Sequence, residues 1–250
     1  MKIAAQLYTV RAYTQTENDI EQTFARIKDL GYECVQISGF GKCSTEFLQS
    51  ALTNHGLTAC ATHSPYDEII NDTDALIAHH KALGIRYIGL GYKMMTSKDE
   101  VLLFLDEITP ALKKIKQAGL QFVYHNHHHE FVDLGGCTPM DLLLENTSAD
   151  EFGLLIDTHW LQTAGLSSVS FMKKHADRIK VIHLKDFKLS ADKERRYAVV
   201  GEGNMDFEEI LATAKSIGVE YAAVEQDDCY GEDPFDCLKR SLDNIKKMGY

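Results

Sequence analysis

The stretch KDLGYECV, residues 28–35, decides the fold, because the same pattern recurs four more times along the chain. The other copies are TNHGLTAC (53–60), KALGIRYI (81–88), KQAGLQFV (116–123) and KSIGVEYA (215–222). In each copy a helical pattern ends at a glycine, and a short apolar run starts within one or two residues. The repeat therefore predicts helices that alternate with strands along the whole chain.

Eight apolar runs separate these helical patterns and predict eight strands. They are KIAAQLY, ECVQIS, LTACATH, YIGLG, QFVYHNH, FGLLIDTH, KVIHLKD and YAAVEQD. The clearest helical patterns cover residues 18–30, 98–118, 205–217 and 235–248, with apolar residues on one face. About eight such units in 250 residues predict one (β/α)8 TIM barrel that forms a single domain over 1–250. A doubly wound sheet would need a glycine-rich turn after the first strand, and QLYTVRAYTQT contains no glycine.

Composition sets the broad class of the protein. The formal net charge is -11, and an acidic surface disfavours binding to nucleic acid. We expect no signal peptide, because the apolar N-terminal run is short, and no membrane span, because no run reaches about 18 apolar residues. The six cysteines form no CxxC pair, so we expect free thiols and a cytoplasmic location. The oligomeric state stays open between a monomer and a homo-oligomer.

Seven of the eight predicted strands have polar side chains at their C-terminal ends. Within each strand they share one parity, and in a barrel such residues face the interior at the end where active sites form. We therefore expect one site at the barrel mouth. The strand endings are Gln6 and Tyr8, Gln36 and Ser38, His63, His125 and His127, Asp157 and His159, His183 and Lys185, and Glu225 and Asp227.

Three of these residues, Asp157, His183 and Glu225, predict a metal site. A buried carboxylate is costly unless it is paired or bound to a cation, and these three side chains come from consecutive strands. A divalent ion would neutralise the two carboxylates, and mixed oxygen and nitrogen ligands suit Mn²⁺, Mg²⁺ or Co²⁺, with Zn²⁺ as a further choice. Taken singly, His183 reads as a hydrogen-bonded core histidine and Asp157 as a helix N-cap.

Four motifs carry a resemblance to a known family. DTHW (157–160), HLKD (183–186), VGEGNMDF (200–207) and VEQD (224–227) resemble the sugar phosphate isomerase/epimerase family of the xylose-isomerase-like TIM barrels. That superfamily also contains inosose dehydratases and ketose 3-epimerases. The resemblance covers essentially the whole chain, and it is more specific for the superfamily than for any substrate.

The resemblance implies a metal held by a Glu, an Asp, a His and a Glu from strands five to eight. Asp157, His183 and Glu225 match the last three directly. The fifth strand ends in YHNHHHEF (124–131), where His125 stands at the position of the ligand glutamate. The sequence resembles a YHNHxxEF branch instead, so we expect Glu130 to be the fourth ligand, ahead of His125 or a plain loop carboxylate. We expect His127 to face the mouth.

The implied activity is removal of a proton next to the carbonyl of a keto-sugar, sugar phosphate or cyclitol, giving isomerisation, epimerisation or dehydration. Glu225 would be one acid/base, with His125 or Glu130 on the opposite face. Lys185 would bind a substrate oxygen or form a salt bridge with Asp157. Glu202 would hold His183 or a substrate hydroxyl. The full expected substrate-binding set is Tyr8, Gln36, His63, His127, His159, Lys185 and Glu202.

Two other functions are weighed against this one. A metal-dependent phosphodiesterase of the apurinic-endonuclease type shares the barrel, but it needs further metal ligands and a basic face for DNA. A sugar-binding barrel without turnover is the other alternative. Solvent proton exchange in a bound sugar separates the enzyme from the binding protein, and salt-dependent DNA binding identifies the endonuclease type.

Overall fold

The eight predicted strands close into one parallel barrel, as the strand-helix repeat predicts. The computed structural model describes all 250 residues. The barrel strands are β1 (Lys2–Gln6), β2 (Cys34–Ile37), β3 (Thr58–Thr62), β4 (Tyr87–Leu90), β5 (Gln121–His125), β6 (Phe152–Asp157), β7 (Ile179–Leu184) and, after a hairpin, β10 (Tyr221–Val224). Their order around the barrel is β1-β10-β7-β6-β5-β4-β3-β2. The prediction of a TIM barrel is therefore confirmed.

Ten helices surround the strands. They are α1 (Glu17–Asp29), α2 (Thr45–Asn54), α3 (Tyr66–Asn71), α4 (Thr73–Ala82), α5 (Lys98–Gln117), α6 (Pro139–Glu145), α7 (Thr158–Thr163), α8 (Ser168–Lys174), α9 (Phe207–Ser216) and α10 (Pro234–Lys247). Short 3-10 helices cover Leu7–Tyr13 and His129–Phe131. No helix combines the length and the apolarity that a membrane crossing requires.

The local signals in α1 explain how one repeat unit is built. Thr16 and Asp19 form a capping box that satisfies free backbone N–H groups at the start of the helix. After the helix, Gly31 has φ of 98°, a left-handed conformation that glycine adopts without steric cost. The chain then turns directly into β2, so the glycine sets the point where the helix stops and the strand begins.

A two-stranded hairpin between β7 and α9 was not predicted. It pairs β8 (Asp186–Leu189) with β9 (Arg195–Ala198) in antiparallel register. The buried Asp186 carboxylate holds the segment after the hairpin, because it accepts hydrogen bonds from the backbone N–H groups of Gly201 and Gly203, both at 3.0 Å. A Cβ atom at Gly203 would lie 2.3 Å from Asp186 Oδ1, so this position requires glycine.

The barrel interior has two layers of opposite chemistry. The lower layer is a cluster of nine buried apolar residues, namely Ala4, Cys34, Cys60, Ala61, Tyr87, Val123, Leu155, Val181 and Ala223. Two residues further along six of these strands, polar side chains form the upper layer: Gln6, Gln36, His125, Asp157, His183 and Glu225. A separate core of 51 buried residues fills the space between strands and helices. For these six residues the inward parity predicted from the strand endings matches the structure.

Candidate active site

Four side chains from consecutive strands meet at the floor of the barrel mouth. His125 ends β5, Asp157 ends β6, His183 lies in β7, and Glu225 follows β10. One ligand atom from each lies within 4.8 Å of all the others. His183 Nδ1 is 2.9 Å from Glu225 Oε2, and His125 Nε2 is 3.4 Å from Asp157 Oδ2. We call these residues the four-residue centre, which includes the predicted trio of Asp157, His183 and Glu225.

Contacts behind the centre orient its two imidazoles. His125 Nδ1 is 3.0 Å from the Gly91 carbonyl oxygen, so this nitrogen carries the proton and donates it. His183 Nε2 donates in the same way to Gln36 Oε1 at 2.9 Å. In both rings the other nitrogen faces the centre, which is how metal-binding histidines are usually oriented. Burial opposes a charge on His183, but the Glu225 carboxylate, 2.9 Å from Nδ1, and Asp157 raise its pKa. Gln36 therefore lies beneath the site and positions His183.

Asp157 combines two roles that the sequence presented as alternatives. Its Oδ1 accepts a hydrogen bond from the Trp160 N–H at 3.0 Å and so caps α7. Its Oδ2 faces the four-residue centre. The side chain is fully buried. Because the cap uses only one oxygen, the helix fixes the carboxylate while the second oxygen remains free for the site.

Charge at the centre is balanced by Lys185. Burial disfavours ionisation of Asp157 and Glu225, but the Lys185 ammonium together with His125 and His183 outweighs it and holds the pKa of both carboxyls well below the usual value. Burial also opposes the charge on Lys185, yet Asp157, Glu225 and Asp227 raise its pKa well above the usual value. The site therefore contains ionised carboxylates and a charged lysine, as the salt-bridge interpretation of Lys185 proposed.

The residues of the four-residue centre fit a divalent metal ion. His125 Nε2, Asp157 Oδ2, His183 Nδ1 and Glu225 Oε2 are all buried and lack a well-directed hydrogen bond. Buried polar atoms in native structures nearly always have a hydrogen-bond partner, so four such atoms that face each other without one fit a site that binds a cation. Two imidazole nitrogens and two carboxylate oxygens are a donor set that Zn²⁺, Mn²⁺ and Co²⁺ accept.

Glu130 does not reach the four-residue centre, contrary to our expectation for the fourth ligand. Its Oε1 accepts a hydrogen bond from the Tyr124 hydroxyl at 2.8 Å, and its Oε2 accepts one from the His127 N–H at 2.8 Å. Tyr124 precedes His125 in β5 and therefore points out of the barrel. The 3-10 turn after the strand folds Glu130 back onto this outer side. His125 takes the fourth position instead.

Of the other three histidines in this stretch, only His127 belongs to the pocket wall next to the centre. His127 lines the pocket, and its ring centroid lies 5.3 Å from that of Trp160. His128 is exposed, and His129 Nε2 lies 3.1 Å from Glu130 Oε1. Burial lowers the pKa of His127 to about 2, so its ring is neutral near pH 7.

A pocket of about 480 Å³ opens above the centre. Of the expected substrate-binding residues, Tyr8, His63, His127 and Lys185 line it, together with Glu225. His63 Nε2 is buried without a partner, and burial lowers the pKa of this histidine well below its usual value. The pocket therefore presents a neutral imidazole beside the charged groups on its floor. It also contains Ser38, Ser64, Tyr66, Tyr92 and Asp227.

Two expected substrate-binding residues lie elsewhere. His159 is buried against the rings of Phe187 and Tyr197, with centroids 5.5 and 5.1 Å away. Glu202 lies outside the pocket, contrary to our expectation, because both of its carboxylate oxygens accept hydrogen bonds from Arg240 at 3.0 Å on the protein surface. Its expected contact with His183 is absent, since the turn at Gly201 directs the side chain towards α10.

Three aromatic residues near the site were missed. Trp160, which the sequence favours as a core residue, has its ring 5.5 Å from Lys185 Nζ. Tyr197 from the unpredicted hairpin lies 5.7 Å from the same atom, and Tyr92 forms part of the pocket wall. The position of Trp160, three residues after Asp157, is a signal that could have identified it. Tyr197 had no such signal, because its place depends on the hairpin.

Comparison with known families agrees with this geometry. Residues 24–248 match the family described as xylose isomerase-like TIM barrel. The chain belongs to this family. The resemblance stated from DTHW, HLKD, VGEGNMDF and VEQD is thus confirmed at the family level.

The proteins similar to this chain have names from more than one activity class. An inosose dehydratase of Geobacillus thermodenitrificans is 23% identical over 274 residues, covering 92% of this chain and 90% of that enzyme. A sugar phosphate isomerase/epimerase from Parabacteroides distasonis is 25% identical and covers 98% of both chains, with a TM-score of 0.83. The IOLI protein, solved with a binding zinc atom, shares the fold with a TM-score of 0.72 at 16% identity, covering 99% of this chain and 98% of that one.

Proposed function

We propose that this protein is a metal-dependent enzyme that removes a proton next to the carbonyl of a keto-sugar or cyclitol. The observation that carries the proposal is the convergence, on the floor of a polar pocket, of four buried ligand atoms that lack a well-directed hydrogen bond. The names of the relatives, inosose dehydratase and sugar phosphate isomerase/epimerase, support the same substrate class. The zinc atom in the IOLI protein supports a metal in this fold.

His125, Asp157, His183 and Glu225 would hold the metal, with His125 in place of the Glu130 expected from the sequence. When bound, a divalent ion polarises a substrate carbonyl and stabilises the negative charge that follows loss of the neighbouring proton. Mn²⁺ remains our proposal for the ion, and a set containing two histidines also suits Zn²⁺ and Co²⁺. Mg²⁺, which prefers oxygen ligands and bound water, fits this set less well.

Glu225 is the proposed acid/base on one face of the substrate. It is held ionised, and it lines the pocket as well as the centre. His63 is the proposed partner on the other face, because its unpaired Nε2 belongs to a neutral ring that can accept a proton. His63 replaces the two residues expected in this role from the sequence. His125 belongs to the proposed metal-binding set, and Glu130 accepts a hydrogen bond from Tyr124 outside the centre.

The two proposed groups set the choice between products. If both transfer protons on opposite faces of one carbon, the product is an epimer. If Glu225 alone removes a proton and then gives it to a neighbouring hydroxyl, which leaves as water, the product is a dehydrated ketone. Ser38 Oγ lies 3.2 Å from His63 Nδ1, so the chain orients the ring through its second nitrogen. Epimerisation and dehydration both begin with removal of a proton by Glu225, so the proposal includes both activities.

Solvent exchange tests the proposal directly. Protein loaded with Mn²⁺ is mixed with inososes and ketohexoses in deuterated water, and NMR follows loss of the C–H signal next to the carbonyl. We expect exchange with at least one substrate, and a loss of about 10²-fold or more in Glu225→Gln, the size of a general acid/base contribution.

Glu220→Gln is the matched control, because this glutamate lies just before β10, at the opposite end of the strand, and pairs with Arg86 on the surface. We expect it to exchange at the wild-type rate. Exchange that continues unchanged in Glu225→Gln, or after complete removal of the metal, would overturn the proposed mechanism.

A further inference from the structure

Lys185 has a position that ordinary substrate binding does not explain. It follows β7 directly, and its side chain is 2% exposed. Its Nζ lies 3.1 Å from Asp157 Oδ2, 2.8 Å from Glu225 Oε2 and 3.1 Å from Asp227 Oδ2. Lysine is almost never buried this deeply unless it is paired, and here a single ammonium lies among three carboxylates.

Two of the three oxygens near this ammonium also belong to the four-residue centre. A divalent ion bound there would lie about 2 Å from Asp157 Oδ2 and from Glu225 Oε2. An ammonium that stayed within 3.1 Å of the same two atoms would be next to the ion, and the two positive charges would repel. Lys185 and the metal therefore compete for these oxygens.

The third oxygen, Asp227 Oδ2, offers the Lys185 ammonium a partner outside the four-residue centre. Among the three contacts, only the one to Asp227 Oδ2 is a well-directed hydrogen bond. Asp157 Oδ2 and Glu225 Oε2 have no such bond although the ammonium is near them. Asp227 lies outside the four-residue centre and lines the pocket. The ammonium can keep this hydrogen bond while it moves away from the other two oxygens.

We propose that Lys185 is the resident cation of the metal-free centre, and that a divalent ion displaces its ammonium onto Asp227. The inference rests on the proposed metal function. It explains why an ammonium is buried among three carboxylates, because the divalent ion takes over the neutralisation of Asp157 and Glu225 when the ammonium moves to Asp227. The displaced ammonium faces the pocket, where it can donate a hydrogen bond to a substrate oxygen. Metal binding thus prepares the substrate site.

The direction in which Mn²⁺ affinity changes when Lys185 is replaced tests this exchange. Protein freed of metal by a chelator is titrated with Mn²⁺ in a calorimeter, as wild type and as Lys185→Met, which keeps the length of the side chain without its charge. Loss of an ordinary partner behind a metal weakens binding by about 10- to 100-fold. Loss of a competing cation has the opposite effect, so we expect Lys185→Met to bind Mn²⁺ about tenfold more tightly or better.

Lys188→Met is the matched control, because it removes the same charge from an exposed position in β8. We expect its affinity to stay within about twofold of wild type, since exposed charges are screened. Equal or weaker binding in Lys185→Met, with wild-type binding intact, overturns the exchange and leaves the metal function standing. If neither protein binds Mn²⁺, the proposed metal function itself fails.

Structures of the wild-type protein with and without Mn²⁺ keep the inference testable if Lys185→Met does not fold. We expect the ion to occupy the four-residue centre and Lys185 Nζ to leave Glu225 Oε2, from which it is now 2.8 Å away, while its contact with Asp227 persists. An ammonium that remains within 3.1 Å of both Asp157 and Glu225 beside the bound ion would overturn it.

Discussion

The lower and upper layers of the barrel interior come from the same strands and the same parity, yet they differ completely in chemistry. In β6, Leu155 belongs to the apolar lower layer and Asp157 to the polar upper layer. In β7, Val181 and His183 stand in the same relation. Burial of the lower side chains stabilises the fold, whereas burial of the upper ones costs free energy unless a partner satisfies them.

The comparison shows how the barrel separates stability from chemistry over a distance of two residues. The lower layer is built mainly from apolar side chains, whereas the upper layer contains four ligand atoms that lack a well-directed hydrogen bond. Those four ligand atoms can lie together in a buried site only if a nearby cation interacts with them. Substitutions in the lower layer should therefore change the free energy of unfolding, and those in the upper layer should change ligand binding.

Leu155→Ala should have the largest effect of the substitutions below. The side chain is fully buried in the lower layer, so its truncation removes apolar contacts and leaves a cavity. We expect the free energy of unfolding to fall by about 2–5 kcal/mol, measured by urea denaturation. The Mn²⁺ affinity of the folded protein should not change, because no ligand atom is touched.

Leu103→Ala is the control for this substitution, because Leu103 is 57% exposed on α5. Its effect on unfolding should stay within about 0.5 kcal/mol. A Leu155→Ala protein that is as stable as wild type but has lost its metal affinity would contradict the division between the layers.

His125→Asn and Glu130→Gln test which residue completes the upper layer. His125 Nε2 faces the four-residue centre, so His125→Asn should lower Mn²⁺ affinity by about 100-fold or more, beyond the effect of partners behind the ligands. Glu130→Gln should leave the affinity within about threefold of wild type. Calorimetric titration of the two variants in parallel gives the answer, and the reverse pattern would restore Glu130 as the ligand.

The sequence was sufficient for the barrel and for three residues of its centre. Glycine endings such as Gly31 fix where helices stop, and alternation within a strand fixes which residues face inward. Asp157, His183 and Glu225 all lie inside strands or directly after them, where this alternation still holds. Their convergence followed from the closure of the barrel, without any knowledge of loop conformation.

The errors occurred where the chain leaves the strands. Glu130 lies in a 3-10 turn, and the side of β5 on which it packs depends on its hydrogen bond to Tyr124. Glu202 pairs with Arg240, 38 residues further along the chain, and no local pattern encodes such a contact. Tyr197 reaches the site only because β8 and β9 form a hairpin. Alternation within strands carries no information about these positions.

His80, the buried histidine of α4, has a purely structural role and differs in this from the histidines of the four-residue centre. Its Nε2 lies 2.9 Å from Thr62 Oγ1 and its Nδ1 lies 2.8 Å from the Leu76 carbonyl oxygen, so both nitrogens are paired. Burial lowers its pKa to about 4 from 6.5. The unfolded chain therefore takes up a proton at higher pH than the folded protein does, and stability falls as the pH drops from about 6.5 to about 4.

The predicted size of this pH effect is about 2 kcal/mol of unfolding free energy lost between pH 7 and pH 5. Urea denaturation of wild type and His80→Gln at both pH values measures it as the difference between their losses. We expect a smaller loss in His80→Gln and the wild-type loss in His128→Gln, which alters an exposed histidine. Equal losses in all three proteins would show that His80 does not titrate in this way.

Glu202→Gln should have the smallest effect on stability and on activity. It tests whether residues outside the barrel interior contribute to the functional site. The carboxylate pairs with Arg240 at 3.0 Å, and both side chains are about 40% exposed. Exposed ion pairs contribute about 0–1 kcal/mol, so stability should change by less than about 1 kcal/mol. Mn²⁺ affinity and solvent proton exchange should match wild type, because Glu202 contacts neither the four-residue centre nor the pocket. A loss of exchange with normal stability would return Glu202 to the substrate site and would mean that the segment after β9 moves towards the mouth during turnover.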